Sequence, residues 1–375
     1  MLKVLTIVGT RPEIIRLSRI IHEFDQNFNH ILAHTGQNFD HELNKVFFSD
    51  LQIRDPDYFM NCASGNESTA EVISRIISSS DEIMERESPD CVVVLGDTNS
   101  ALAIISAKKR KIPIFHLEAG NRCFDQRVPE EVNRKIVDHL SDINMPYSQI
   151  ARDYLINEGF PADQIIKIGS PMYEVLDYYS DGINKSLILD NFKLEPKKYF
   201  LISAHREENI DSDESFLKFL SVLDLLASHY KLPVIVSTHP RTRKKINNKS
   251  HTYNNLIRFE KPLGFFDYVH LQKKAKVVLS DSGTISEESS ILGFNALNIR
   301  DVNERPEAME EASVIMTGLD KDLIKSGIDF YDSSSVQAST QRVIVRDYQA
   351  PNVSTKVAKI VLSYTHFINA RVWKK

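Results

Sequence analysis

Short apolar runs alternate with helix-like segments along nearly the whole chain, and this alternation constrains the fold more than any other feature of the sequence. The run Cys91–Leu95 is typical because all its residues are apolar, as in a strand that is buried on both faces of a sheet. Such strands, separated by helices, predict parallel sheets covered by helices on both sides. The strands predicted in the first half are Val4–Val8, Ile31–Thr35, Cys91–Leu95, Ile114–Leu117, Ile143–Pro146 and Ile165–Ile168.

A polar, turn-rich segment, Asp177–Lys198, interrupts the alternation, which then restarts. At 375 residues the chain is also long for one domain. We therefore predict an α/β fold of two Rossmann-like doubly wound domains that face a cleft, with ligands at the carboxyl ends of the strands. The expected domains are residues 1–180, residues 181–354 and a C-terminal helix, 355–375, that packs back on the N-terminal domain. The strands predicted in the second half are Tyr199–Ala204, Pro233–Thr238, Leu256–Glu260, Val277–Ser280, Ala296–Ile299 and Ser313–Met316.

The composition excludes several classes of protein. A net charge of −5 argues against a general nucleic-acid-binding protein. No apolar run approaches the roughly 18 residues of a membrane span, and the N-terminus lacks a signal-peptide pattern. The three cysteines, Cys62, Cys91 and Cys123, are too far apart for a zinc motif, and Cys91 is expected in the core. P-loop, dinucleotide and serine-nucleophile motifs are absent from the sequence, so a P-loop nucleotidase, a tightly held NAD and a serine nucleophile are not expected. The missing signal peptide and membrane span predict a cytoplasmic protein, and the histidine spacing predicts no metal site.

The turn that follows the strand Val277–Ser280 has the composition of an anion site. Ser282 and Thr284 supply hydroxyl groups, Gly283 allows close approach of a ligand, and a helix begins just after them. Two glutamates, Glu287 and Glu288, follow and would repel a phosphate unless they face something else. The alternative is that Ser282 or Thr284 simply caps the helix.

Polar residues also follow the other predicted strands. Arg11, Gln37, Asp97, Glu118 and His205 each come directly after a strand, where a doubly wound fold binds ligands. Carboxylates, a histidine and arginines at one sheet edge would suit acid–base chemistry on an anionic substrate.

Each of these residues also has a purely structural explanation. Asp97 could cap a helix, Glu118 could pair with Arg122 at i,i+4, and His205 could be a core histidine. Glu130, Arg134 and Asp138 share one helix face and could form an exposed ladder of ion pairs. These alternatives remain open from the residues alone.

Ten motifs in order nevertheless make the chain resemble the UDP-N-acetylglucosamine 2-epimerase family over essentially its full length. They are GTRPE (9–13), TGQN (35–38), GDTNS (96–100), HLEAGNR (116–122), VPEEVNRKIVDHLSD (128–142), IGSPM (168–172), AHREEN (204–209), PLGFFDYVHL (262–271), SDSGTISEES (280–289) and RDVNERPEA (300–308). The resemblance implies the glycosyltransferase-B arrangement, a homodimer and a UDP-sugar substrate.

The resemblance also implies roles for individual residues. Asp97, Glu118 and Glu130 match the family's catalytic carboxylates, Arg134 matches a supporting arginine, and His205 and Arg11 match residues near the diphosphate. Ser282, Gly283 and Thr284 would hold the diphosphate, Glu288 the ribose and Tyr268 the uracil. The remaining substrate-binding candidates are Arg16, Gln37 and Arg305.

The family's reaction, as the resemblance implies it, inverts C2 without a cofactor. A proton leaves C2, UDP leaves C1 to give a 2-acetamidoglycal, and both return with the proton on the other face. The sequence leaves open which carboxylate removes the proton and whether the glycal is released.

Departures from the usual motifs bear on the substrate. Arg16 stands where the family usually has lysine, Thr284 and Ser286 alter the phosphate turn, and the segment 121–128 is short. These features resemble a subgroup that makes UDP-N-acetyl-L-fucosamine from a 6-deoxy-L-talose precursor for capsule, O-antigen or lipopolysaccharide, with Phe124 and Val128 as candidate contacts to the sugar methyl. The alternatives are a UDP-N-acetylglucosamine/UDP-N-acetylmannosamine 2-epimerase, a glycosyltransferase and a non-catalytic UDP-sugar sensor.

Overall fold

The computed structural model describes residues 1–37, 47–65, 67–204, 212–238, 245–246, 253–300, 302–333 and 344–375. The chain divides into two compact units. The first contains Met1–Tyr178 and Asp347–Lys375, and the second contains Tyr179–Arg346. The first boundary falls inside the polar segment that interrupts the strand–helix alternation, and the C-terminal residues belong to the first unit.

The first unit contains a parallel sheet of six strands in the order β3-β2-β1-β4-β5-β6, which is the Rossmann order. All five residues of β4 are buried, as the uninterrupted apolar run predicted. The strands are β1 (Lys3–Val8), β2 (Asn29–His34), β3 (Tyr58–Phe59), β4 (Cys91–Leu95), β5 (Ile114–Leu117) and β6 (Ile143–Met145).

The predicted strand Ile165–Ile168 is wrong. Ile165 forms an isolated bridge with Asn144, and the N–H groups of Ile166 and Ile168 donate to the carbonyl oxygens of Asn144 and Pro146, but no strand forms. The chain then turns at Gly169, whose φ of +84° ends any extension. A side chain at Gly169 would also lie 2.6 Å from the Cβ of Ala350.

Helices cover the sheet of the first unit. A short 3-10 turn, Asn99–Ala103, precedes α3. The helices are α1 (Arg11–Asn27), α2 (Thr69–Glu87), α3 (Ile104–Lys109), α4 (Pro129–Leu140), α5 (Gln149–Asn157) and α6 (Met172–Tyr178).

The second unit repeats this topology. Its six parallel strands lie in the order β12-β11-β10-β7-β8-β9, the same order read from the opposite edge. The strands are β7 (Phe200–Ser203), β8 (Val234–Ser237), β9 (Ile257–Glu260), β10 (Val277–Ser280), β11 (Ala296–Asn298) and β12 (Ile315–Met316). The helices are α7 (Ser180–Asn184), α8 (Ile188–Phe192), α9 (Asp213–Tyr230), α10 (Phe265–Lys274), α11 (Ile285–Leu292), α12 (Pro306–Glu310) and α13 (Lys321–Asp332).

The chain returns to the first unit as α14 (Val353–Ile368), which packs against α1. Its buried face includes Val357, Val361 and Ile368, at helical spacing. Cys91 is fully buried, as predicted. Across the described ranges, every helix is too short or too polar to cross a bilayer. The predicted fold class, α/β with two Rossmann-like doubly wound domains, is confirmed.

Candidate functional site

The strand order reverses between the first and fourth strands of each sheet, and a doubly wound fold places its ligands at this point. In the first unit, the turns after β1 and β4 meet there. In the second unit, the turn after β10 lies beside the end of β7. The residues after Ala204, including the predicted catalytic residue His205, lie outside the described residues.

The buried carboxyl of Glu13 joins the two turns of the first unit. Its Oε2 accepts the N–H groups of Gly9 and Thr10, at 2.6 and 2.8 Å, and its Oε1 accepts the hydroxyl of Thr98. Burial raises the pKa of Glu13 to about 7, although the hydroxyl and the two N–H groups lower it. We did not single out Glu13 from the sequence, yet the spacing Thr10-x-x-Glu13 is a capping-box signal that could have identified it.

Asp97, after β4, is paired with Arg134 of α4. The Nε of Arg134 donates to Asp97 Oδ2 at 2.7 Å, and its Nη1 donates to Glu131 Oε2 at 3.0 Å. Asn133 also donates to the carbonyl oxygen of Asp97, at 2.9 Å. The alternative of an exposed ladder along α4 is wrong, because Arg134 and Asp138 are buried. Glu130 is partly exposed in the first turn of that helix.

Glu118, after β5, is paired with Arg16 of α1. Both side chains are largely buried, and the Arg16 guanidinium also lies 5.9 Å from the ring centroid of Tyr147. The alternative pairing of Glu118 with Arg122 is wrong. Glu118 has a φ of +66°, so the segment is not helical, and Arg122 bonds instead to Asp138.

Gln37 is held by a chain of hydrogen bonds. Ser100 Oγ donates to Gln37 Oε1 at 3.0 Å, so the hydroxyl of Thr35, 2.8 Å from Ser100 Oγ, must be the donor in that pair. The guanidinium of Arg11 lies 5.6 Å from the ring centroid of Phe47. Arg11 follows β1 and Gln37 follows the neighbouring strand β2, so these two predicted binding residues lie at the same edge of the sheet.

In the second unit, the predicted phosphate turn joins β10 to α11. The hydroxyls of Ser282 and Thr284 lie 2.9 Å apart. Thr284 occupies the N-cap position of α11 but makes no side-chain capping bond, so it does not cap the helix. A Cβ on Gly283 would lie 3.2 Å from Glu304 Oε2, so the turn has little room there.

The two glutamates after this turn point in different directions. Glu287 is fully buried, and its Oε2 lies 3.4 Å from Nη2 of Arg305, itself only 3% exposed. Glu288 is partly exposed, and Gln272 Nε2 donates to its Oε2 at 2.5 Å. Burial and the nearby Glu288 raise the pKa of Tyr268. Gln272, which we did not single out from the sequence, thus orients the predicted ribose-binding carboxylate.

The two Rossmann-like doubly wound units give a two-domain α/β fold of the glycosyltransferase-B class. The first unit carries the guanidinium-paired carboxylates, and the second carries the hydroxyl-lined turn before a helix. A family model described as UDP-N-acetylglucosamine 2-epimerase matches residues 22–362. The chain belongs to this family, and it is an isomerase of the UDP-sugar 2-epimerase class.

Curated relatives and solved structures are similar over most of the chain. A UDP-N-acetylglucosamine 2-epimerase homolog of Methanococcus maripaludis is 35% identical over 344 residues, 89% of this chain and 94% of the relative. A UDP-2,3-diacetamido-2,3-dideoxy-D-glucuronate 2-epimerase of Pseudomonas aeruginosa is 31% identical over 329 residues, 86% of this chain and 90% of the relative. The structure of UDP-N-acetylglucosamine 2-epimerase from Rickettsia bellii is 49% identical, covers 100% of both chains and superposes with a TM-score of 0.91.

Proposed function

We propose that this isomerase converts UDP-2-acetamido-2,6-dideoxy-β-L-talose to UDP-N-acetyl-β-L-fucosamine, for capsule or O-antigen biosynthesis. The observation that carries the C2 epimerisation is the pairing of Asp97 with Arg134 and of Glu118 with Arg16, at the ends of neighbouring strands. Proton transfer at carbon needs carboxylates held in a fixed direction, and each guanidinium supplies that orientation.

The proposed reaction breaks and re-forms two bonds. One carboxylate, from among Asp97, Glu118 and Glu130, takes the proton from C2 while the C1–O bond breaks and UDP leaves. A proton then returns to the opposite face of C2, and the UDP oxygen re-forms the bond at C1. Atoms and charge balance, and no cofactor is required.

We assign UDP binding mainly to the second unit. Ser282, Gly283 and Thr284 would bind the diphosphate, because hydroxyl groups and helix N-terminal N–H groups suit anions. Glu288, oriented by Gln272, would accept from the ribose hydroxyls. We also assign Tyr268 to the uracil and His205 to catalysis. The other residues assigned to substrate binding are Arg305 in the second unit and Arg11, Arg16, Gln37 and Arg134 in the first.

The 6-deoxy substrate is supported by the departures from the family's usual motifs. Phe124, in the segment that follows Glu118, is 69% exposed, so its ring could bury the C6 methyl group. Val128 is 3% exposed and is the weaker candidate. The second candidate substrate is UDP-N-acetylglucosamine, because proteins described as UDP-N-acetylglucosamine 2-epimerases are similar to this chain.

Proton NMR of the two UDP-sugars in D₂O with purified protein would test the proposal. Incorporation of deuterium at C2 is expected for the 6-deoxy sugar, together with the C2-inverted product. Asp97→Asn should abolish incorporation while sparing UDP binding, whereas Asp163→Asn, at a side chain 61% exposed, should leave both unchanged. Faster turnover of UDP-N-acetylglucosamine would reject the 6-deoxy substrate, and no incorporation from either sugar would reject the proposed chemistry.

The homodimer and the cytoplasmic location stay predictions. Light scattering on the purified protein would measure the first, and a mass of one chain, 42.8 kDa, would contradict it.

A further inference from the structure

A cluster of four ionisable side chains contacts the backbone of the turns that carry Asp97 and Glu118. Three of the four are at most 1% exposed, and the fourth, Glu158, has a side chain 29% exposed. The proposed reaction uses none of them. The members are His116 on β5, Arg122 after that strand, Asp138 on α4 and Glu158 just beyond α5.

The ring of His116 lies between two hydrogen-bond acceptors. Its Nδ1 is 2.9 Å from Asp138 Oδ1, and its Nε2 is 2.8 Å from the carbonyl oxygen of Gly96. A neutral imidazole has one N–H group and can donate to only one of these oxygens. The imidazolium form donates to both.

The charges around the ring also favour the imidazolium form. Arg122 donates to Asp138 Oδ2 at 2.7 Å, and its other nitrogens bond to both oxygens of Glu158, at 2.8 and 2.7 Å. With a charged His116, the cluster contains two cations and two anions, which avoids an uncompensated buried charge. Burial raises the pKa of Asp138, but the bonds and charges of His116 and Arg122 hold it below its usual range.

The cluster holds the backbone of both turns. His116 Nε2 bonds to the carbonyl of Gly96, the residue before Asp97. Asp138 accepts the N–H of Gly120, two residues after Glu118, at 3.2 Å to each oxygen. Glu118 has a φ of +66°, a left-handed conformation that is unfavourable for a non-glycine residue, so hydrogen bonds from outside the turn are needed to hold it.

We propose that His116 is a positioning residue, held as an imidazolium by Asp138, which fixes the backbone of the Asp97 and Glu118 turns for proton transfer at C2. This inference rests on the proposed roles of Asp97 and Glu118. His116 acts through the backbone, so its loss should lower kcat and leave UDP binding unchanged.

The protonation state of His116 can be measured without any substrate. Long-range proton–nitrogen correlation spectra of protein carrying nitrogen-15-labelled histidine report whether each ring nitrogen bears a proton, and His116→Gln would assign the signals. Both nitrogens should be protonated at neutral pH. A ring with one protonated nitrogen would overturn the proposal, whatever the protein's substrate proves to be.

Kinetics separate positioning from general structural support. His116→Gln should lower kcat about 100-fold, the typical cost of a small misplacement of catalytic groups, with KM and the Kd of UDP within about twofold of wild type. His139→Gln, at the exposed neighbour of Asp138, is the matched control and should be unchanged. Wild-type kcat in His116→Gln, or UDP affinity that falls as far as kcat, would refute the positioning role.

A second variant covers the case in which His116→Gln does not fold. Asp138→Asn keeps the shape of the side chain but removes the charge that holds the imidazolium. It should lower kcat with unchanged Kd for UDP, and the His116 ring should lose one proton. If wild-type protein turns over neither UDP-sugar, the proposed function fails, but the spectra still decide the state of His116.

Discussion

Glu13 makes the stability of the first unit depend on pH. The side chain is 2% exposed, and burial raises its pKa from 4.5 to about 7. Between these values the folded protein keeps a proton that the unfolded chain has released, so this contribution to stability is complete below pH 4.5 and is lost as the pH rises through about 7. The difference of about 2.5 pH units, at about 1.4 kcal/mol each, corresponds to roughly 3.5 kcal/mol over the whole titration, of which up to about 3 kcal/mol falls between pH 5 and pH 8.

Glu13→Gln removes this titration. At pH 5 the protonated carboxyl and the amide are both neutral and similar in size, so wild type and variant should have similar free energies of unfolding. At pH 8 the variant should be more stable than wild type by up to about 3 kcal/mol, because it buries no charge. Urea unfolding, followed by the fluorescence of Trp373, measures both values.

Trp373 suits this assay because it is the only tryptophan of the sequence and belongs to the first unit. Its ring lies 5.3 Å from the Nζ of Lys108, so unfolding of this unit changes its surroundings. Glu85→Gln, at a side chain 74% exposed, is the control and should change stability equally at both pH values. If wild type and Glu13→Gln differed in free energy of unfolding by the same amount at pH 5 and at pH 8, the proposed titration of Glu13 would be refuted.

Three further substitutions test the two units. Gly9→Ala should destabilise the first unit by about 1–3 kcal/mol in the same urea assay, because the new Cβ would lie 2.0 Å from Ser100 Oγ; a neutral effect would contradict the packing. Arg134→Lys keeps the charge but loses the 2.7 Å hydrogen bond from Nε to Asp97 Oδ2, so kcat should fall about 100-fold. Unchanged turnover would show that catalysis does not need Arg134 to orient Asp97. Arg305→Gln should weaken UDP binding in calorimetry, since Glu287 would lose the cation that holds it inside, and wild-type affinity would argue against that restraint.

The sequence predicted the strands best where they are buried on both faces. Cys91–Leu95, Ile114–Leu117 and Val277–Ser280 match the structure at both ends because a continuous apolar run leaves no ambiguity. Strands at the sheet edges carry less of this signal. Tyr58–Phe59, with only two residues, was not predicted. Ile165–Ile168 has the composition of a strand but forms only an isolated bridge and two backbone hydrogen bonds to residues 144 and 146.

The sequence predicted that the candidate site residues follow strand ends, but it did not predict which of them pair with each other. Strand ends and motif order identified Asp97 and Glu118, because the topology alone brings those turns to one edge of the sheet. Their partners come from distant parts of the chain, and Arg16 is 102 positions from Glu118. The i,i+4 rule suggested Arg122 instead, but that rule holds only in a helix, and the turn at Glu118 is left-handed.

The two units share a capping-box signature but use it differently. Each signature follows a central strand of its sheet. Thr10-x-x-Glu13 follows β1, the first strand of the first unit, and Thr284-x-x-Glu287 follows β10, the fourth strand of the second unit. Glu13 folds back to accept two N–H groups of its own turn, so those donors are already bonded to an internal carboxylate.

Glu287, at the same helical position, lies next to Arg305 instead, and Thr284 makes no capping bond. A bound anion competes with an internal carboxylate for helix N-terminal donors, so the first unit is ill suited to a diphosphate and the second is suited to one. Beside its proposed role as a substrate-binding residue, the buried Arg305 would therefore serve UDP binding indirectly, by keeping Glu287 out of the turn that the diphosphate needs.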